Sequence, residues 1–356
     1  MSQNVRKRGS DIRNYLLTTL SKSPSPITIS DLSVAGAKKF GISRAAIAKH
    51  VRNLAEQGSI ELTPDGRTKL CYLKPIKTHD FSLSVQGRGS LDEMDIYLQE
   101  VKPVLTNLCD SARNILEYGF TEMMNNVIDH SSATRVHVLI EKTAITTSIL
   151  IADNGVGIFK KVKDALHLSD ERQALLELSK GKFTTDPSNH TGEGIFFTSR
   201  ACDEFGIFSG GLVFAHSSEY PRDFLTRWPE LNTIGGTLVR MSINNNSARR
   251  LKSIFRKYSS VDGGFTRTEV PLKLMQYQNE GLVSRSQAKR LLERVDRFKF
   301  VTLDFENIEF IGQAFADQIF RVFSKEHPDV ELNYKNANKD IEETIKIAQA
   351  NATHLS

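Results

Sequence analysis

The residues with the clearest chemical pattern lie in the middle of the chain. Glu122, Asn126 and His130 recur every four residues, a spacing that puts three polar groups on one helical face while Met123 and Val127 turn toward a core. Farther on, Asp153-Asn-Gly-Val-Gly-Ile158 begins where a strand-like run ends. An acid followed by Gly155 and Gly157 in a tight turn lets the backbone approach a flat ligand, with the carboxylate accepting a hydrogen bond. In Thr191-Gly-Glu-Gly-Ile195, Gly192 and Gly194 open a helix, where free amides and the helix dipole favour a phosphate. Gly235-Gly-Thr237 then precedes a further strand.

The elements that must position these groups follow from periodicity. A long helical pattern covers 98–130, and strand patterns cover 135–142, 146–152 and 237–243. Residues 159–190 are polar and partly helical, with Gly181-Lys-Phe-Thr-Thr-Asp-Pro near their end. The mixed stretch 78–104 reads as a linker with some strand character.

One Gly-x-Gly carries little information, but the ordered set carries much more. It runs Glu-x-x-x-Asn-x-x-x-His, Asp-x-Gly-x-Gly, Gly-x-Gly before a helix, and Gly-Gly-Thr before a strand. This resembles the GHKL superfamily of ATPases (histidine-kinase-like, or Bergerat, fold), over about residues 105–246. The resemblance implies an ATP site with Mg²⁺. In it Asn126 holds the metal against the phosphates and Glu122 polarises the attacking group. Asp153 reads the adenine amino group, supported by Thr237. Gly155, Gly157, Gly192 and Gly194 flank the nucleotide together with His130 and Thr191. Residues 159–190 form the ATP lid, from which Lys182 is the candidate phosphate contact.

The N-terminal region has its own pattern. Ile12, Tyr15, Leu16 and Leu20 recur at helical spacing up to Ser-Pro-Ser-Pro at 23–26, which ends the helix. Ser30 and Asp31 are placed to cap a second helix, to about Phe40, and Ser43 a third, 44–57. Two strand-like runs, 60–63 and 69–73, are joined by Pro64-Asp65-Gly66. This order resembles a winged helix-turn-helix of bacterial transcription regulators. In that reading Ser43, Arg44, Lys49, His50 and Arg52 face double-stranded DNA, and Arg67 and Lys69 on the wing meet phosphates. Residues 1–77 hold fourteen Lys or Arg against five Asp or Glu, a balance of +9, so the rest sums to −4 against the whole chain's +5. A basic field confined to one end fits a polyanion partner. The alternative is a module for protein contacts with a solvated basic face.

Beyond a basic connector at 249–260, strand and helix patterns alternate (269–274, 284–298, 300–305, 312–324, 330–334, 340–349), which implies a small α/β domain. The run from Val301 to Asp317 resembles STAS domains, the fold of anti-sigma-factor antagonists, and looks closest to a STAS-like family of unknown function. Antagonists carry a phosphorylated serine where this chain has Gly312 or Gln313. Residues 308–317 contain no hydroxyl side chain. Glu306, Glu309 and Asp317 read as surface acids.

The expected architecture is therefore a multidomain α/β chain of 356 residues: a winged helix (1–77), a linker (78–104), a Bergerat-fold α/β sandwich (105–248) and a STAS-like domain (262–356). No apolar run reaches membrane length, and the three scattered cysteines suit a reducing cytoplasm. The combination reads as a regulator coupling an ATP switch to DNA and to an unidentified protein partner, with room for a homodimer. A histidine kinase in cis is disfavoured, because none of the nine histidines sits in a His-Glu-x-x dimerisation box. A serine/threonine kinase acting on a separate partner, and a scaffold that binds ATP without turnover, are the other readings.

Overall fold

The computed structural model describes residues 2–23, 25–85, 91–184, 191–218, 223–227, 235–260, 264–276 and 281–353. They form three sheets with helices around them, a mixed α/β chain with several cores.

The N-terminal unit has helices α1 (Ser2–Lys22), α2 (Ile29–Phe40) and α3 (Arg44–Glu56), and an antiparallel sheet of β1 (Ile27–Thr28), β2 (Ile60–Asp65) and β3 (Thr68–Leu73) in the order β1-β3-β2. Its core is Ile12, Leu16, Leu32, Ile47, Val51 and Leu54, closed by Ile60 and Cys71 of the sheet. α2 crosses α3 tightly because Gly36 has no side chain, and a Cβ there would meet Ile47 side-chain carbons at 3.0–3.2 Å. The cap of α2 is Thr28, one residue outside the helix, whose hydroxyl accepts from the Asp31 amide at 3.0 Å. Ser30 and Asp31 therefore lie inside the first turn instead of capping it. The hairpin turns at Gly66 and Arg67, with Asp65 paired to Thr68 and Gly66 at φ 58°.

The central sheet comprises β4 (Lys77–Ser84), β5 (Arg135–Lys142), β6 (Thr146–Asp153), β7 (Glu204–Ser209), β8 (Leu212–Ser217), β9 (Asp223–Arg227) and β10 (Leu238–Asn244). Its order is β4-β5-β6-β10-β7-β8-β9, antiparallel at every step. Burial alternates along β5 and β6, so Val136, Val138, Ile140, Ile149 and Ile151 share one covered face. The helices over that face include α4 (Glu93–Ile96), which runs on as a π-helical turn (Tyr97–Val101), and α5 (Asp110–Asn125), which runs on as a second one (Asn126–His130). α6 (Ile158–Ala165), α7 (Glu171–Lys180) and α8 (Gly194–Ala201) complete the layer.

Two expectations need correcting here. The helix expected over 98–130 is broken: Pro103 has no amide to donate, Asn107 takes a left-handed φ of 61°, and Cys109 caps the restart at Asp110. Residues 78–104 are no linker, because β4 pairs along its whole length with β5, and Ile96, Tyr97, Val101 and Val104 enter the central core. β4 in fact alternates regularly, with Phe81 and Leu83 half-buried against the central core and Asp80, Ser82 and Ser84 exposed, a period-two signal that the linker reading passed over.

The connector helix α9 (Leu251–Tyr258) leads to a parallel sheet β11-β12-β13 (Arg267–Pro271, Phe300–Asp304, Glu331–Lys335). α10 (Arg285–Leu292), α11 (Gln313–Asp317), a π-helical turn (Gln318–Phe323), α12 (Ser324–Glu326) and α13 (Lys339–Thr353) surround it. α10 carries a full capping box, Ser284 with Gln287. It ends at Leu292, short of the expected 298, where Arg294 turns left-handed (φ 62°).

Candidate functional site

A cavity of about 230 Å³ opens between α5, α6, α8 and the β6 end of the sheet. Glu122, Asn126, His130, Asp153, Gly157, Thr191, Gly192, Gly194 and Thr237 all line it, so residues spread over more than a hundred positions meet in one place. The π-helical turn begins at Asn126, which resets the helical phase below Glu122 and still leaves Asn126 and His130 on the cavity.

At one end lies Asp153, only 7% exposed and the last residue of β6. Burial pushes its carboxyl above the ordinary carboxylate range, and amides of Gly155 and Thr237 partly offset this. The Gly155 amide donates to Asp153 Oδ1 at 2.7 Å. A Cβ on Gly155 would lie 2.2 Å from the Ser131 carbonyl oxygen, so this turn admits no side chain. Thr237 ties the loop together: its carbonyl accepts from the Asp153 amide at 2.9 Å and its hydroxyl accepts from the Ile158 amide at 3.0 Å. Val156, Ile158, Phe183, Ile207 and Val239 add apolar wall. A buried acceptor between apolar walls suits a flat heteroaromatic ring with one exocyclic donor.

At the other end is the start of α8. Gly192 holds φ 71°, and a Cβ there would lie 2.3 Å from the Phe183 carbonyl oxygen. A Cβ on Gly194 would lie 2.1 Å from Glu122 Oε2, so the Glu122 carboxylate sits against the first turn of α8. Glu193 lies beside it, its carboxyl pushed up by burial and drawn back by Lys182. Burial, with Glu122 and Glu193 nearby, also pushes the Tyr118 phenol up. The Asn126 amide nitrogen contacts Met123 Sδ at 4.0 Å, which leaves its amide oxygen as the hard donor. Among the described residues no group of three or more His, Cys, Asp or Glu side chains is placed to hold a metal ion.

Lys182 does not face the cavity. Its ammonium donates to the Arg297 carbonyl at 2.8 Å and lies 4.7 Å from the Phe298 ring centroid, so it belongs to the contact with the C-terminal unit. The cavity lysine is Lys161, on the second turn of α6, which donates to the His130 carbonyl. No spacing rule in Asp-x-Gly-x-Gly points to it, and sequence reasoning missed it. Of the expected lid, α6 and α7 are helices; residues 185–190 lie outside the described ones.

On the N-terminal unit, Arg44, Lys49 and Arg52 are exposed on α3, and Arg67 and Lys69 on the hairpin. Ser43 spends its hydroxyl on the helix, accepting from the Ala46 amide at 3.2 Å. His50 does not join that surface. It turns toward Gly9 and Arg13 of α1, and burial, Arg13 and Lys49 lower its pKa.

In the C-terminal unit Gly312 is closed off: a Cβ there would lie 2.7 Å from Val283 Cα and 2.8 Å from its carbonyl oxygen. Asp317 is no surface acid. It is 9% exposed and gripped by Arg321 at 2.7 Å from Oδ2, with Arg285 at 3.7 Å, and the Arg321 bond holds its carboxyl below the ordinary range.

Comparison with known families now adds one finding. Residues 287–342, from α10 into α13, match the model of a STAS-like domain of unknown function (DUF4325). The C-terminal unit is thus STAS-like, as the resemblance over Val301 to Asp317 implied. A search among curated proteins finds no match to the chain. Among the described residues no helix is long and apolar enough to cross a membrane.

Proposed function

We propose that the central unit is a GHKL-type ATP-binding switch, set between a DNA-binding winged helix and the STAS-like unit. The carrying observation is the two-ended cavity. A buried acid among apolar walls meets an adenine, and on the same cavity Gly192 and Gly194 open α8 toward the phosphates. Asn126 and phosphate oxygens would hold Mg²⁺, which keeps several waters and needs few protein ligands. Glu122 stands at the phosphate end, where a base is needed to polarise a water or a hydroxyl. The exposed basic set on α3 and the hairpin supports the DNA reading. The chemistry and the charge distribution fit a cytoplasmic protein.

Glu122 also favours a second reading, transfer of phosphate to a serine or threonine of a separate partner. Labelled ATP decides between them, with the purified protein alone and with cell extract. Free phosphate marks an ATPase, labelled protein a kinase, and tight binding without product a scaffold. Absence of Mg²⁺-dependent ATP binding by calorimetry refutes all three.

A further inference from the structure

The wall residue Phe183 follows directly on α7, and what fixes that segment is the C-terminal unit. Lys180, 1% exposed, donates to Glu177 at 2.6 Å and to the Glu293 carbonyl at 2.8 Å. Thr268 donates to the Lys180 carbonyl at 2.7 Å. Leu176, Phe196 and Phe197 leave the central unit's core and join that of the STAS-like unit. A buried, hydrogen-bonded charge network of this kind has one good arrangement and tolerates little sliding.

Arg294 stands at its centre. Its Nη1 lies 3.2 Å from Glu177 Oε2, its Nη2 donates to the Lys182 carbonyl, and its guanidinium lies 5.1 Å from the Phe183 ring centroid. It does this from a left-handed backbone (φ 62°) that a non-glycine residue holds only when its surroundings require it. The Phe183 carbonyl in turn lies over Gly192, too close for any Cβ. A shift of Phe183 thus moves both the apolar wall and the glycine turn at the phosphate end. We propose that Arg294 of the STAS-like unit is a positioning residue of the nucleotide site, setting ATP affinity through Phe183 and the Lys182 carbonyl. This rests on the ATP reading of the cavity.

The test uses the full chain and calorimetric titration with ATP and Mg²⁺, on the parent, Arg294→Ala, Arg294→Lys, Phe183→Ala and the 183/294 double variant. Lysine can satisfy Glu177 but lacks the planar fork that stacks on a ring while donating to a carbonyl. Arg294→Lys therefore melts near the parent yet loses ATP affinity by about tenfold, a usual size for coupling between sites. The losses at 183 and 294 do not add. If Arg294→Ala fails to fold, Arg294→Lys carries the test alone. Parental ATP affinity in a folded Arg294→Lys, or strictly additive losses, overturns the positioning role and leaves the ATP site standing. A parent that binds no ATP overturns both.

Discussion

Replacing Asp153 by alanine is the sharpest test of the adenine assignment. The side chain is 7% exposed, its Oδ1 accepts from the Gly155 amide at 2.7 Å, and the Thr237 amide also favours its charged form. A carboxylate still has lone pairs for a further donor from a ligand. A charge-assisted hydrogen bond contributes about 1.5–3 kcal/mol. Its loss should weaken ATP binding roughly ten- to a hundredfold. The pH dependence provides an internal check. Burial raises the carboxyl in the folded state, so the folded protein takes up a proton at a pH where the unfolded chain has lost it. Its contribution to apoprotein stability is then present below the unfolded value of about 3.9 and lost as pH rises through the folded value. ATP affinity runs the other way, falling as acid protonates Asp153, and it does so above the ordinary carboxylate range. Calorimetry of parent and variant with ATP, from neutral pH down into the carboxylate range, measures the affinity, and denaturant unfolding of the apoprotein over the same range measures the stability. A folded Asp153→Ala with parental affinity, or a parent whose affinity ignores pH over that window, refutes the reasoning.

Other perturbations probe the remaining groups. Glu122→Ala should keep nucleotide and lose any hydrolysis or transfer; a variant that retains its turnover rate makes this carboxylate structural. Asn126→Ala should weaken only the Mg²⁺-dependent part of ATP binding, and titrations with and without metal separate the two. Gly192→Ala should lower stability by at least about 1–2 kcal/mol from its left-handed backbone alone, with a further cost from the Phe183 carbonyl, read by denaturant unfolding. If Arg44, Lys49, Arg52, Arg67 and Lys69 each neutralise a DNA phosphate, the log–log salt dependence of binding has a slope of about −4.5. Arg67→Ala should then weaken all duplexes alike, whereas no binding to any duplex at low salt would leave a protein-contact module.

The sequence was legible where local chemistry and fold agree. Asp153, Gly155 and Gly157 stand at a strand end followed by a turn that only glycine fits, so their spacing is the geometry. Gly194 reads as a helix start, although nothing local announces that its missing Cβ makes room for Glu122. The errors have a common cause: side-chain direction is settled by packing partners far away in sequence. His50 shares an exposed helix with Arg52, yet α1 takes it inward. Lys182 has the composition of a phosphate ligand, but Phe298 and the Arg297 carbonyl, more than a hundred residues on, claim its ammonium. Asp317 reads as an exposed acid until Arg321 and Arg285 close over it. β4 is a different case: Phe81, Leu83 and Val85 alternate with Asp80, Ser82 and Ser84, so its period was legible, and what the sequence did not show was its partner β5, some fifty residues on.

The two units beside the cavity are attached in physically different ways, and this decides where the energy of a bound ligand could go. The N-terminal unit holds the central sheet by Ile145, which lies in the turn between β5 and β6 and packs into the N-terminal core. β6 is paired along its length with β5 on one side and β10 on the other. Moving Ile145 by pulling at Asp153 would break both ladders, so that contact has no second arrangement for a nucleotide to select. The other contact starts from α7, a helix outside the sheet, and ends in Lys180, Glu177 and Arg294. Removing or displacing one member of that network leaves buried charge uncompensated, so it ties the position of α7 and Phe183 to the STAS-like unit. A ligand that favoured another position of Phe183 would therefore load the contact with the STAS-like unit before the contact at Ile145. Any effect of ATP on DNA affinity must then pass through the C-terminal unit, and Arg294→Lys should abolish it while leaving DNA binding without ATP intact.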